Sequence, residues 1–237
     1  MRTPLLRRLS ITALLILLHI SLSAQVQWEN QVWTSVQFQK KLIPRTRAEL
    51  TLESRWNVDP LMAVRYFPNL GIQRKWSDLF STVLHYRYIT SNFGLGYRES
   101  SHRLMLDAIF SQKIKKTDIS FRLRAGREDE TGNAEGILGL SEFVFRQKLI
   151  VRHKFLGQEF SLGIEQFETI RSGTADFNQR RFTLGMETSL NKQHSLDFFI
   201  MYQDLIETRR FNAGIGYVYK LDEQKKKKKS APPPENP

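Results

Sequence analysis

The side chains best suited to chemistry in this 237-residue chain are few: five histidines and no cysteine. The missing cysteine excludes thiol nucleophiles, Cys-based zinc sites, iron–sulfur clusters and disulfide scaffolds together. Acyl transfer needs a serine, a histidine and an acid or amide within hydrogen-bond reach of one another. The adjacent pairs Ser101-His102 and His194-Ser195 are the candidates, but neighbours in a strand point to opposite faces. His85 has Arg87 nearby and no evident nucleophile, and no Gly-x-Ser-x-Gly elbow occurs. Gly94-x-Gly96 lacks the third glycine and the strand-to-helix setting of a dinucleotide site. No His and carboxylate spacing suits a metal ion. The expectation is a protein without catalysis, cofactor or metal.

Charge is the richer feature. Arg47, Glu49, Glu53, Arg55, Arg122, Arg124, Glu142, Arg146, Glu165, Arg181, Glu187 and Asp197 all fall in the polar phase of alternating segments. Such long ionic side chains in a confined interior must pair, because an unpaired buried charge is costly. Cations exceed acids by twelve over the chain, which raises nucleic-acid binding as a possibility. Their placement argues against it: three arginines precede the apolar run near the N-terminus, and five consecutive lysines stand near the C-terminus.

The two termini separate from the rest. Arg2, Arg7 and Arg8 lead into an apolar stretch over 9–20, followed by small residues before Gln25, the layout of a secretory signal peptide cleaved after Ala24. The stretch falls short of the roughly 20 apolar residues of a membrane-spanning helix. Residues 223–237 combine the lysine run Lys225 to Lys229 with four prolines, so a disordered tail is expected. This predicts a leader over 1–24, a folded body over 25–222 and a tail over 223–237.

Within the body, apolar residues recur at every second position for about ten residues at a time, the period of a strand. Eleven such segments are legible: 28–38, 47–56, 64–76, 79–88, 102–110, 119–127, 142–154, 159–168, 180–189, 195–203 and 210–220. In the second, Ala48, Leu50, Leu52 and Trp56 oppose Arg47, Glu49, Thr51, Glu53 and Arg55, whereas in the first Trp33 stands on the polar side. Short polar links alternate with longer ones at 89–101, 128–141 and 169–179, as in outer-membrane barrels with periplasmic turns and extracellular loops.

Periodicity alone does not separate a soluble sandwich or barrel with an apolar interior from a membrane barrel turned inside out. Segment length favours the membrane, since about ten residues suit a tilted transmembrane strand. Trp28, Trp56, Tyr66, Trp76, Tyr88, Tyr97, Tyr202, Tyr217 and Tyr219 gather near segment ends, where interfacial girdles form. The final segment carries Asn212, Gly214, Tyr217 and Tyr219, which resembles the terminal assembly signal of outer-membrane barrels. The fold expected is an all-β antiparallel transmembrane barrel of ten to twelve strands. Eleven conflicts with the even counts of bacterial barrels, so either two strands are merged or the first lies outside.

Ser23-Ala24-Gln25, the opening Trp28-x-x-x-x-Trp33, Arg47-x-Glu49-x-x-x-Glu53-x-Arg55 and the Tyr86-Arg87-Tyr88 type of hairpin resemble the uncharacterised barrel family DUF2490. That resemblance implies a fold and an outer-membrane location but no reaction or ligand. The functional expectation is a narrow porin-like channel for small solutes or a structural barrel with an ion-paired lumen. The alternatives are a barrel-embedded lipid hydrolase and a soluble periplasmic barrel with an apolar ligand. Expected partners are outer-membrane lipids, lipopolysaccharide and the barrel-assembly machinery, with no nucleic acid. Arg98, Arg103, Arg127, Arg171, Arg180, Arg209 and Arg210 are placed to meet lipopolysaccharide phosphates.

Overall fold

A computed structural model describes residues 27–58, 64–92, 98–131, 142–171, 174–205 and 208–221. The proposed leader and tail lie outside the described residues, as does Tyr97. Eleven strands follow one another: β1 (Gln27–Ile43), β2 (Thr46–Asn57), β3 (Val64–Lys75), β4 (Phe80–Asn92), β5 (Arg98–Ile114), β6 (Thr117–Thr131), β7 (Glu142–Phe155), β8 (Gln158–Arg171), β9 (Thr174–Ser189), β10 (His194–Leu205) and β11 (Thr208–Lys220). Each pairs antiparallel with the next, and the sheet closes on itself where β1 meets β11 in parallel, from Gln27 opposite Thr208 to Gln39 opposite Lys220.

That parallel pair resolves the parity conflict. An odd number of alternating strands leaves the first and last running the same way, and their edges bond as a parallel ladder instead of demanding a twelfth strand. β1 therefore joins the sheet from the long-link rim, and β11 leaves it at the short-turn rim. The strands are longer than their apolar cores, 12 to 17 residues, because pairing continues past the hydrocarbon-length segment. The same extension corrects the predicted long link at 169–179: β8 runs to Arg171 and β9 starts at Thr174, across a bulge at Phe167/Glu168. The links expected at 89–101 and 128–141 are shortened in the same way, since β4 runs to Asn92, β5 starts at Arg98 and β6 runs to Thr131. On the opposite rim the tightest hairpins put Arg45, Lys115 and Leu156 at positive φ, with Gly157 beside the last.

The outward phase is apolar. Leu50, Leu106, Phe121 and Leu184 are 40%, 55%, 38% and 50% exposed, while the buried set includes Gln31, Asn69, His85, Asp107, Arg124, Arg146, Glu165, Gln203 and Asn212. A soluble protein would place these two groups the other way round. A band of exposed Leu, Ile and Phe around a closed cylinder suits hydrocarbon, and closure removes every unpaired strand edge.

Aromatic residues collect at both ends of the outer face. Trp28 packs against Tyr202 (6.4 Å) and Trp56 against Tyr66 (6.4 Å) toward the long-link rim. Trp76, Tyr217 and Tyr219 lie toward the short-turn rim, where Trp76 Nε1 donates to Thr82 (2.9 Å) and Tyr219 stacks on His194 (4.8 Å). Tyr88 also points outward and donates to Ser100 (2.9 Å).

Candidate functional site

Because Cβ atoms alternate along every strand, each strand sends every second residue into the lumen: the even-numbered ones in β6, β7 and β11 and the odd-numbered ones in the other strands. The side chains that meet there form two connected layers. The first centres on Asp107 of β5, which is 1% exposed. Arg124 of β6 donates to it twice, from Nε (2.5 Å) and Nη2 (2.7 Å), the bidentate fork that a planar guanidinium offers a carboxylate. His85 Nε2 lies 3.4 Å from the same carboxylate, and His85 Nδ1 lies 3.8 Å from Glu49. Gly71 makes this convergence possible: a Cβ there would stand 2.7 Å from Glu49 Cγ and 3.0 Å from His85 Nδ1. Arg122 continues the chain to Glu165 of β8 (2.8 Å), which also faces Lys148 (3.9 Å).

The second layer lies toward the long-link rim and mixes arginines with aromatic rings. Arg55 donates to Glu53 (2.6 Å) while its guanidinium covers Trp33 at 3.7 Å and Phe67 at 4.2 Å. Arg181 of β9 reaches Phe167 (4.1 Å) and, past two intervening strands, Trp33 of β1 (5.8 Å). With its side-chain oxygen turned toward Arg181, Gln203 accepts from Arg181 Nη2 (3.0 Å) and Gln179 (2.7 Å), and its amide contacts that of Asn212 at 2.9 Å. Phe199 lies against Gly214, where no Cβ would fit, and meets Trp33 edge-on at 5.8 Å.

Of the residues expected in the lumen, Glu49, Arg122, Arg124 and Glu165 join the Asp107 layer, and Glu53, Arg55, Arg146 and Arg181 the aromatic layer. Arg47 also points inward, bonding Gln39 (3.1 Å) and Gln73 (2.6 Å). Glu187 and Asp197 are register partners nearer the short-turn rim. Glu187 also pairs with Glu159, which faces Arg152 (3.7 Å) and Lys154 (3.8 Å), so these carboxylates stand apart from the two layers. Glu142 opens β7, but its side chain lies outside the described residues. The C-terminal motif splits by parity: Asn212, fully buried, and Gly214 face the lumen, whereas Tyr217 and Tyr219 face outward.

Two of the arginines assigned to lipopolysaccharide are corrected by the same parity. Arg103 points into the barrel, and Arg210 pairs with Glu29 across the β1–β11 join (2.6 Å). Arg127, Arg180 and Arg209 keep the outward phase, Arg209 lying 3.7 Å from Asp204. The side chains of Arg98 and Arg171 lie outside the described residues. Sequence reasoning missed Asp107, Arg87, Lys148, Phe67, Phe167 and Phe199 as lumen residues. Strand phase alone would have found them: Lys148, Phe167 and Phe199 share strand and parity with Arg146, Glu165 and Asp197, and Phe67, Arg87 and Asp107 oppose the apolar phase of their own strands.

The serine and histidine pairs do not converge. Ser101 lies inside, while His102 lies outside with Nδ1 2.5 Å from Tyr86 OH. Ser195 is buried in the lumen and His194 bonds the Tyr217 hydroxyl on the outer face. Among the described residues no group of three or more His, Asp or Glu is arranged to hold a metal ion.

A closed cylinder with an apolar outer band, aromatic ends and an ionic interior defines the outer-membrane type of β-barrel. The chain belongs to the family described as protein of unknown function (DUF2490), whose model matches residues 30–210. No curated protein matches the sequence. Among solved structures it is similar to the translocator domain of the autotransporter NalP from Neisseria meningitidis, at 16% identity over 72% of each chain with a TM-score of 0.38.

Proposed function

We propose that the protein is an integral outer-membrane barrel, exported by a cleaved leader, whose lumen is closed by its own side chains. It is a non-catalytic structural or binding barrel and not an open diffusion pore. The observation that carries this reading is lateral contact through the lumen: Arg181 of β9 and Arg55 of β2 cover the same Trp33 ring of β1. Below them Asp107 is sealed by Arg124, His85 and Arg122. Eleven strands give a lumen wider than the eight-stranded case that side chains just fill; arginine, tryptophan and phenylalanine supply the extra reach. Its surroundings would be membrane lipid and, at the long-link rim, lipopolysaccharide, with insertion by the barrel-assembly machinery.

Planar-bilayer recording on refolded protein tests closure. The expected result is a quiet membrane, and stable stepwise currents of porin size would establish the narrow channel instead. Carbonate extraction of membranes, together with heat-modifiable gel migration, tests location. Release by carbonate without detergent would reject the membrane reading.

A further inference from the structure

Four guanidinium groups and three aromatic rings alternate around the inner wall in the long-link half of the barrel. Arg146 of β7 lies over Phe167 at 4.5 Å, and Arg181 covers the same ring from the other side of the sequence at 4.1 Å. Trp33 is shared by Arg181 and Arg55, and Phe67 by Arg55 and, at 5.7 Å, Arg87 of β4. Their hydrogen-bonding capacity is used unevenly. Arg55 is held by Glu53 and Arg181 by Gln179 and Gln203. Arg87 and Arg146 form no ion pair and no side-chain hydrogen bond among the described residues: Glu53 and Glu165 act on them only through space, and the Nε atom of each is buried without a hydrogen-bond partner.

Arg146 is 8% exposed. The charges acting on it are Arg103 and Arg124 first, then the opposing carboxylate of Glu165, then Arg181. A buried cation in a field of like charge is a costly arrangement. A ring stabilises the face of a guanidinium, but the N–H donors at its edge still require acceptors. Multiply charged oxyanions supply both the missing charge and the missing acceptors, and arginine forks match their geometry.

We propose that this belt, in the long-link half of the lumen, is a binding site for a small phosphate-type oxyanion, with Glu53 as the internal carboxylate that competes for it. The inference goes beyond the closed-lumen reading, because a lumen that binds an anion need not pass it.

The test uses the full mature chain refolded in detergent and inorganic pyrophosphate as the probe, titrated by calorimetry at constant ionic strength. The expected result is saturable binding that chloride does not reproduce. Arg146→Gln should weaken it at least about tenfold, the effect of losing one charge-assisted hydrogen bond. Glu53→Gln should tighten it by a similar factor, by removing the competitor. Arg74→Gln, on the outer face, should leave it unchanged. Should Arg146→Gln fail to give a heat-modifiable barrel, Arg87→Gln and Glu53→Gln carry the comparison. Absence of saturable heat from the unaltered protein, equal losses in Arg146→Gln and Arg74→Gln, or weaker binding in Glu53→Gln would each overturn the proposal. None of these results depends on whether the bilayer recordings show current.

Discussion

Neutralising Asp107 should be the most damaging single-atom change available in this barrel. Asp107→Asn keeps the shape of the side chain but replaces one carboxylate oxygen by an NH2 group. That group then faces Arg124 at positions where Nε and Nη2 now donate across 2.5 and 2.7 Å, and it leaves His85, 3.4 Å away, and Arg122, 3.8 Å away, without their shared anion. Asp107 is 1% exposed, so water does not take over these bonds. Removing one partner of a buried ion pair costs about 3–5 kcal/mol, because the other charge stays desolvated. With a urea dependence of about 1–3 kcal/mol per molar, the unfolding midpoint should fall by at least about 1 M. The assay is urea unfolding of the refolded protein in lipid vesicles, followed by tryptophan emission and by loss of heat-modifiable migration. The double variant Asp107→Asn/Arg124→Gln removes both charges and should recover most of the loss. A single variant within about 0.5 kcal/mol of the unaltered protein, the range of ordinary surface changes, or a double variant no better than the single, would refute the desolvated-pair account.

Three further outcomes follow from the same geometry. Leu106→Arg puts a cation on the apolar outer band and should cost about 2–4 kcal/mol in bilayers if that band crosses the midplane; a neutral result would deny lipid contact there. Gly214→Val forces a side chain into the space taken by the Phe199 ring, so overpacking should lower stability by about 1–3 kcal/mol, readable in the same unfolding assay. Glu29→Gln breaks the 2.6 Å pair with Arg210 at the β1–β11 join, but both side chains are about a quarter exposed; the loss should stay below about 1 kcal/mol, and a larger one would mark the parallel join as the weak point of the barrel.

Much of the fold was legible because alternation is a local property. Arg47 to Trp56 reads as a two-faced strand from its residues alone, and the structure places both phases where that reading requires. Link lengths were less legible. Residues 169–179 carry the polar, glycine-containing composition of a loop, yet pairing between β8 and β9 continues through Ile170 opposite Ala175, since ladder bonds reward extension whatever the side chains are. The candidate site was visible as a set of charges but not as an arrangement. Asp107 sits among Leu104, Leu106 and Ala108 and reads as the polar phase of a greasy strand, with nothing to single it out. Its role comes from β4 and β6 delivering His85 and Arg124 to it.

The sequence by itself determined that the chain forms two-faced strands, in what order, and which residues share a face, because a period of two is set by backbone geometry within each segment. It did not determine how an odd number of strands closes. That depends on bonds between β1 and β11, whose paired positions Glu29 and Arg210 lie at opposite ends of the chain. Strand phase puts Trp33, Phe67 and Phe167 on the inner face, but only the closed sheet decides which arginines cover them. Once the cylinder closes, the long side chains that share the inner phase are brought together, and strand order around the sheet decides which of them meet.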